Sequence, residues 1–297
     1  MIGALILTKN EEKHLERCLS SIVDVVDTIC VIDCGSNDRT MSIAESYNAS
    51  VIYSEWVNYA TQFNFGLSKL PENVDWVLRI DADEYIDATM KLYIQKELPT
   101  FGNEINGVSF SRLMNFLGRP IRYGGMYPVW QLRLFRRKFG CCENRWMDEH
   151  IAISSGNVIR GKGVITDYNL NTVTWWIDKH NGYASREAVD ILCFQYPELI
   201  SSISSNKRMD KQASLKRGMK KVYSLLPLGF RPLVYFIYRY FLLFGFLDGR
   251  RGAMFHFLQG FWYRFLVDTK VYEVKRYSFE HSVDVKEAIK QILGIEL

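Results

Sequence analysis

The sequence predicts an α/β fold with a mainly parallel central sheet, followed by a helical C-terminal region. Near the N-terminus, short apolar segments alternate with polar loops and helical patterns. A later apolar run ends abruptly in three acidic residues, and the last third of the 297-residue chain is rich in aromatic and basic residues. Alternating strands and helices are typical of parallel sheets with right-handed crossovers, in which the carboxyl edge forms the ligand crevice.

The N-terminal elements follow the order strand, loop, helix. Residues 2–7 predict a buried strand, and helical spacing of apolar residues predicts the helix that follows, at Leu15, Leu19, Ile22 and Val23. Two more strands are predicted at 28–32 and 51–53, with a helix at about 41–47 between them. Loops rich in Asp, Asn, Ser and Gly follow these strands. Because such loops offer N–H groups to an anion, while Asp33 can accept hydrogen bonds from a base or ribose, we expect a nucleotide here.

Residues 76–84, with the sequence W-V-L-R-I-D-A-D-E, predict a strand buried on both faces that ends in acids. In an extended segment Asp81 and Asp83 would share one face, where two carboxylates repel each other unless a cation or a proton relieves the repulsion. Oxygen ligands of this kind suit Mg²⁺ or Mn²⁺, completed by water and substrate phosphates. A solvated acidic loop after a strand is the alternative interpretation.

Three motifs occur in order: T-K-N-E-E at 8–12, D-C-G-S-N-D-R-T at 33–40 and D-A-D-E at 81–84. Together they resemble the family 2 inverting glycosyltransferases, most closely the branch that modifies lipopolysaccharide cores and other bacterial surface glycans. The resemblance implies a GT-A fold, which is Rossmann-like with a mainly parallel central sheet. The Q-x-N segment that precedes the metal motif in that branch is present here at 62–64, with Phe63 where a basic residue is common.

The resemblance also implies roles for individual residues. Asp83 would ligate a Mn²⁺ or Mg²⁺ ion that bridges the diphosphate, and Asp81 would hold the ribose or a metal-bound water. The implied contacts to the nucleotide sugar are Thr8, Asn10, Glu11, Asp33 and Ser36 around the nucleoside, together with Gln62 and Asn64. Asn37 or Asp38 is at least as well suited to capping the helix that begins near Thr40.

Residues 130–137 alternate apolar and basic side chains, which indicates an edge strand. Either Arg133 or Arg136 would then face the diphosphate, and an exposed strand with solvated cations is equally compatible with the pattern.

Inverting transfer needs a base to take the proton of the acceptor hydroxyl. The segment W-M-D-E-H at 146–150 resembles the acidic-histidine signature at the base position of this branch. We therefore expect Glu149 to be the base, with Asp148 as its competitor. In the alternative interpretation, Asp148 and Glu149 are solvated turn residues and His150 is structural.

The C-terminal third changes in character. Residues 207–221 contain seven basic residues and one acidic residue, and 222–247 are dense in Leu, Phe and Tyr, interrupted by Arg231 and Arg239. Together with a second aromatic segment at 253–267, this pattern predicts two interfacial helices on a membrane with anionic lipids. A helical subdomain that buries these aromatics internally or in a homo-oligomer is the rival interpretation. We expect a catalytic domain over 1–170 and a helical region over 171–297.

Global composition agrees with a reduced cytoplasmic setting. The net charge of +4 indicates no nucleic-acid partner, and the six cysteines include no C-x-x-C pair. No signal peptide is expected, because residues 9–12 interrupt the first apolar stretch. We expect a metal-dependent transferase, peripheral on the inner face of the cell membrane, that moves a hexose from a nucleotide sugar, with UDP favoured, to a saccharide or lipid-linked saccharide. The alternatives are a noncatalytic membrane-bound scaffold that binds nucleotide sugar and a nucleotidyltransferase, which would carry a glycine-rich basic loop near the N-terminus.

Overall fold

A computed structural model describes residues 1–142, 150–199 and 227–297. The chain divides into two compact units, Met1–Asn171 and Thr172–Leu297. This boundary lies one residue beyond the one expected from the sequence.

The first unit combines a large sheet with helices. Its strands are β1 Ile2–Thr8, β2 Thr28–Asp33, β3 Ser50–Tyr53, β4 Trp76–Arg79, β5 Glu84–Ile86, β6 Ile105–Phe116, β7 Arg119–Ile121, β8 Val129–Arg136, β9 Gly140–Cys142, β10 Ile151–Ile153 and β11 Asn157–Tyr168. Its α-helices are α1 Leu15–Ile22, α2 Thr40–Ser46, α3 Tyr59–Lys69 and α4 Ala88–Glu97. The main sheet has the order β3-β2-β1-β4-β8-β6-β11-β5, with β7 paired to β6, while β9 and β10 form a separate antiparallel pair.

The first four strands of this order run parallel, as the strand and helix alternation predicts. Thr8 lies opposite Asp33, and Asp33 lies opposite Tyr53. Leu5 lies opposite Arg79, so that β4 ends beside the same region of β1. The loops after β1, β2 and β4 therefore leave the sheet at one carboxyl edge, where ligands bind in open α/β folds. The α/β fold class is confirmed.

The other half of the sheet is mixed and curls back. Strand β8 is antiparallel to β4 and β6, β11 is parallel to β6, and β5 is antiparallel to β11. In a flat sheet, four strand spacings of about 4.8 Å would separate β4 from β5 by about 19 Å. Only residues 80–83 connect them, and a turn tightens this connection through the 2.9 Å bond from the Glu84 N–H to the Asp81 carbonyl. The sheet therefore curls, and the acidic turn lies where its two halves meet.

The prediction of an edge strand at 130–137 is wrong. Strand β8 lies inside the sheet, hydrogen-bonded to β4 on one side and to β6 on the other. Leu134 and Phe135 are completely buried, and the Arg133 side chain is 4% exposed. A buried guanidinium on an internal strand needs anionic partners, and nearby carboxylates provide them, as described below.

Apolar cores cover both faces of the sheet. On one face, α1 contributes Leu15, Cys18, Leu19 and Ile22, all of them fully buried. On the other face, α3 contributes Ala60, Phe63 and Leu67. A side chain at Gly66 would begin 2.6 Å from Leu5 Cδ1, so the glycine allows α3 to lie close to β1.

The second unit is helical, as predicted. Its α-helices are α5 Val173–Gln195, α6 Phe230–Ile237, α7 Gly249–Phe255, α8 Tyr263–His281 and α9 Val285–Leu293, with π-helical turns at Tyr238–Leu242 and His256–Trp262. Small and branched apolar residues of α5, α8 and α9 form its core. Among the described residues, no single helix is long and apolar enough to cross a membrane. The pair Phe230–Leu242 and Gly245–His281, bent by 70° at its break, meets that test of length and composition jointly.

Candidate active site

The loop after β2 is organised by one buried carboxylate. Asp33, which is 1% exposed, accepts hydrogen bonds from the N–H groups of Gly35 and Ser36 at 2.8 and 2.7 Å. Its second oxygen accepts from the hydroxyls of Thr8 at 2.9 Å and Ser36 at 2.5 Å. Burial opposes ionisation, but the hydrogen bonds outweigh it and lower the pKa of Asp33. Asp33 could bind a nucleoside only by replacing one of these four hydrogen bonds with a bond to the ligand.

The loop after β1 is locked to the loop after β2. The Asn10 N–H donates to Ser36 Oγ at 2.8 Å, and Asn10 Oδ1 accepts from the Asn37 N–H at 2.9 Å. The Glu11 N–H donates to Thr40 Oγ1 at 2.8 Å. Thr8, Asn10, Glu11, Asp33 and Ser36 are therefore brought together, as predicted for the nucleoside pocket. The hydrogen bonds between the two loops preorganise the carboxyl edge of the sheet.

Asp38 binds the start of α2 from the position before the N-cap residue, Arg39, which itself makes no capping hydrogen bond through its side chain. Its carboxylate accepts from the N–H and the hydroxyl of Thr40, the first residue of α2, at 2.9 and 2.5 Å. It also accepts from the Glu12 N–H at 3.2 Å. Asp38 thus links the start of α2 to the first loop.

The acidic motif forms a turn and not an extended segment. The Glu84 N–H bonds to the Asp81 carbonyl at 2.9 Å, and the Asp81 N–H bonds to a Glu84 carboxylate oxygen at 3.0 Å. The expectation of an extended segment is therefore wrong, and within the turn Asp81 and Asp83 have different hydrogen-bond partners. Asp81 accepts from the Tyr59 hydroxyl at 3.3 Å, and Asp83 accepts from Asn169 Nδ2 at 3.0 Å.

The turn ends in a buried acid, Glu84, and three arginines lie close to its side chains. Glu84 is completely buried, and its carboxylate lies 2.6 Å from Arg133 and 3.4 Å from Arg112. Arg133 also lies 3.4 Å from Asp81 and donates to Gln131 Oε1 at 2.7 Å. The third arginine is Arg79, whose guanidinium stacks on the Tyr59 ring at 4.6 Å. Arg136 pairs with Asp75, at the opposite end of β4, and is not part of this group.

The pKa values of the neighbouring acids Asp81 and Glu84 are shifted in opposite directions. Burial alone would raise the pKa of Asp81, but Arg133, Arg79 and Arg112 outweigh it and hold that pKa well below its usual range. For Glu84, burial together with the nearby Asp81 raises the pKa, although Arg133 and Arg112 oppose the rise. Asp81 therefore stays ionised at neutral pH and can accept hydrogen bonds from a hydroxyl or water.

Residues of α1 and of the segment just before it hydrogen-bond the acidic turn and the first loop. Arg17 donates to the carbonyls of Asp83 at 3.1 Å and Tyr168 at 2.5 Å. The buried His14 accepts from the Leu170 N–H through Nε2 at 2.8 Å, so its Nδ1 carries the hydrogen that bonds Glu11 at 2.6 Å. Glu11 is thus held in place by a histidine and a threonine.

Gln62 and Asn64 differ in their surroundings. Asn64 bonds both backbone groups of Cys142, accepting from its N–H and donating to its carbonyl, each at 2.9 Å. It therefore fixes strand β9 to α3. Gln62 is 1% exposed, and its Nε2 has no hydrogen-bond partner within the described part of the chain.

The two residues predicted as the base, Asp148 and Glu149, lie outside the described residues. Strand β9 ends at Cys142, and β10 begins at Ile151, which pairs with Cys142. His150, the last residue of the predicted signature, is exposed.

The carboxylates of the turn fit a hard cation that substrate completes. No three His, Cys, Asp or Glu side chains converge into a metal site within 1–142, 150–199 and 227–297. Asp81 and Asp83 are partly exposed, and Mg²⁺ commonly takes only one or two carboxylates while keeping water and substrate phosphates. Because Asp81 already faces Arg133, Asp83 is the better ligand of the two.

Sequence reasoning missed the residues that support the turn. Arg17, Arg112 and Asn169 each contact it, and the buried pair of Glu84 with Arg133 was not foreseen. The bonds of Arg17 cross 66 and 151 positions of sequence, so no local pattern reports them. A charged residue at 133 between apolar neighbours was the one available signal, since a cation on a buried strand requires a partner.

Residues 4–137 match the family described as Glycosyl transferase family 2. This match lies within the first unit and covers less than half of the chain. The resemblance of the three motifs is thereby confirmed, and an inverting mechanism is consistent with the family. The match runs from within β1 to the end of β8 and therefore contains every residue of the acidic turn.

Similar proteins agree with this family. The lipopolysaccharide core biosynthesis glycosyltransferase LpsC of Rhizobium meliloti is 25% identical over 301 residues, which cover 97% of each chain. An uncharacterized glycosyltransferase of Rickettsia typhi is 26% identical over 201 residues, covering 64% of this chain and 68% of its own.

Among solved structures, one match is glucosyl-3-phosphoglycerate synthase from Mycobacterium tuberculosis in complex with Mn²⁺, UDP and phosphoglyceric acid. It is 22% identical with a TM-score of 0.32, and the match covers 38% of this chain and 43% of that chain. Another crystal structure of the same synthase, with UDP, Mn²⁺ and glucosyl-3-phosphoglycerate, has a TM-score of 0.40 at 15% identity, covering 59% and 74% of the two chains.

Proposed function

We propose that this family 2 glycosyltransferase is a metal-dependent, inverting enzyme that transfers a hexose from a nucleotide sugar, with UDP as the nucleotide. The proposed acceptor is a saccharide or lipid-linked saccharide of a bacterial surface glycan such as lipopolysaccharide. The observation that carries the proposal is the position of the Asp81–Glu84 turn, which lies at the same carboxyl edge as the Asp33 loop. A nucleoside and a diphosphate need these two neighbouring environments.

The turn supplies groups suited to the donor. Asp83 would hold Mn²⁺ or Mg²⁺, which would neutralise developing charge on a leaving diphosphate. Asp81 is ionised and suits a ribose or sugar hydroxyl. Arg133 is held by Glu84 and contributes positive potential next to the carboxylates, which would stabilise negative charge on the diphosphate.

The acceptor assignment is supported by likeness to a protein named for lipopolysaccharide core biosynthesis. That likeness extends along 97% of both chains and includes the helical second unit. A nucleotidyltransferase is disfavoured, because the first loop carries Asn10, Glu11 and Glu12 where such an enzyme would have a glycine-rich basic loop.

The base assignment remains a proposal and is testable with isosteric variants. Glu149→Gln keeps the shape of the side chain but removes its proton affinity, so we expect transfer from a UDP-hexose to lipopolysaccharide core oligosaccharide to fall about 10²- to 10⁴-fold. UDP affinity should not change. The matched control, Asp148→Asn, should lose less than about tenfold, measured by release of UDP.

The same assay separates the other possibilities. Full activity of Glu149→Gln with loss in Asp148→Asn would move the base to Asp148. Nucleotide binding without UDP release from any hexose donor, even slowly to water, would favour the noncatalytic scaffold.

A further inference from the structure

The second unit exposes a series of large apolar side chains along α6 and the segments after it. The apolar face consists of Phe230, Ile237, Phe241, Leu242, Leu247 and Phe257, which are between 44% and 65% exposed. Phe230, Ile237 and Phe241 are spaced at seven and four positions and so lie on one side of the helix. Phe236 joins the two helical segments through ring contacts with Phe257 at 6.2 Å and Phe261 at 6.3 Å.

The two charged residues of the segment Phe230–Leu242 lie inside. Arg231 is 1% exposed and donates through Nε to Asp268 at 2.7 Å, and Asp268 also accepts from the Gly229 N–H at 2.8 Å. Arg239 is 3% exposed and donates to Gln259. The arginines that interrupt the apolar sequence are therefore paired internally and not presented on the outer surface.

This distribution is the reverse of that in a helical region surrounded by water. Water favours apolar side chains inside and charges outside, and a monomer rarely exposes a contiguous apolar patch above a few hundred Å². Hydrocarbon favours the opposite arrangement, in which polar groups are satisfied internally and apolar side chains face outward. The face therefore suits a lipid surface.

Helix length limits how the surface can be used. The segment Phe230–Leu242 is 8 plus 5 residues long, about 20 Å at 1.5 Å per residue, whereas a bilayer core is about 30 Å thick. The helix then breaks at Phe244, which has a left-handed φ of 58°. Just beyond the break, Arg250 and Arg251 are exposed. Cations beside an apolar face match the anionic phosphates at the boundary of headgroups and acyl chains.

We propose that the apolar face rests in the interfacial layer of an anionic membrane, with Arg250 and Arg251 on lipid phosphates. This binding is independent of donor and acceptor. It goes beyond the proposed transfer reaction, and its test needs neither substrate.

The test is flotation of the full chain with vesicles of phosphatidylcholine, with or without phosphatidylglycerol. Leu242 is 65% exposed. We expect Leu242→Glu to lower partitioning of the protein into the vesicles at least about tenfold, since burying a leucine is worth about 1.5–3 kcal/mol. Leu92→Glu is the matched control, because Leu92 is 52% exposed on α4 of the first unit. We expect it to float as the wild-type protein does.

The charge contribution is tested separately. Replacing both arginines in Arg250→Ala/Arg251→Ala should lower binding to vesicles that contain phosphatidylglycerol by about 30-fold, at about 1 kcal/mol per cation. Binding to phosphatidylcholine alone should change little.

Three results would overturn the proposal: a wild-type chain that does not float, equal flotation of Leu242→Glu and Leu92→Glu, or a dimer that Leu242→Glu dissociates without any vesicle binding. The last result would place a second copy on the face. UDP binding measured on the same samples should be unchanged by Leu242→Glu, so that failure of membrane binding is distinguishable from failure of the proposed reaction.

Discussion

At the residue scale, Glu84 fixes the acidic turn by bonding in two directions. Its carboxylate accepts from the Asp81 N–H at 3.0 Å and pairs with Arg133 at 2.6 Å. Both side chains are almost completely buried, so solvent does not weaken their interaction as it does at a surface. The orientation of Asp81 and the position of Arg133 therefore depend on a residue that need not touch the substrate.

Glu84→Ala should lower the free energy of unfolding of the first unit by about 3–5 kcal/mol, because it leaves the Arg133 guanidinium buried without its nearest carboxylate. Chemical denaturation followed by circular dichroism measures the change. Asp24→Ala is the control, since Asp24 is 53% exposed and pairs with Lys91 at 2.9 Å. Breaking that surface pair should cost less than about 1 kcal/mol. Equal losses in the two variants would show that the Glu84 pair does not hold the turn.

The sequence predicted which residues gather at the site better than it predicted their orientations. Thr8, Asp33 and Ser36 lie together because they end or follow neighbouring parallel strands, which short-range patterns reveal. The role of Asn64 was not predictable, since its two bonds reach Cys142, 78 positions away. A motif reports the side chain present, whereas long-range packing decides what that side chain contacts.

At the element scale, the junction between β11 and α4 depends on one glycine. Gly163 lies at the register shift of β11, where its φ is +103°. A Cβ there would lie 2.3 Å from the backbone N of Met90, in the first turn of α4. Backbone atoms cannot move aside as a flexible side chain can, so this position accepts only glycine without distortion.

Gly163→Ala should lower the free energy of unfolding by more than about 2 kcal/mol, through unfavourable backbone conformation and overpacking. Gly182→Ala is the matched control, because Gly182 lies within α5 and nothing stands within 4 Å of the position of its Cβ. Alanine should stabilise that helix by about 0.5–1 kcal/mol. Thermal unfolding of both variants measures the difference, and a stability of Gly163→Ala at or above wild type would contradict the described junction.

Strand assignment from sequence succeeded for continuous apolar runs and failed where charged residues suggested exposure to solvent. The continuous apolar runs of β1, β2 and β4 predicted buried parallel strands. Strand β8 was assigned to an edge because its arginines suggested solvent, yet ion pairing with Glu84 allowed Arg133 to be buried. The acidic motif was treated as extended because it follows a strand, but the reciprocal bonds of Asp81 and Glu84 close it into a turn.

At the scale of the whole molecule, the chain combines a sheet that positions charged groups with a helical unit that exposes apolar ones. The composition of the two parts differs enough for the sequence to place a boundary at 170, next to Asn171. The curl of the sheet was not predictable, because it follows from pairing β5 with β11, whose residues are about 80 positions apart in sequence. That pairing returns the chain from the acidic turn to the far edge of the sheet.

The central claim is that Asp83 binds a divalent ion which joins the protein to a nucleoside diphosphate. Calorimetric titration of UDP, GDP and CMP, each with and without Mn²⁺, tests this claim on the wild-type chain and on Asp83→Asn. The control is Asp75→Asn, because Asp75 is 54% exposed and pairs with Arg136 away from the turn.

We expect UDP to bind the wild-type chain and Asp75→Asn at least about tenfold more tightly with Mn²⁺, a gain of about 1.4 kcal/mol or more, and Asp83→Asn to lose that gain. No dependence on Mn²⁺ for any nucleotide, or full dependence retained in Asp83→Asn, would contradict the claim.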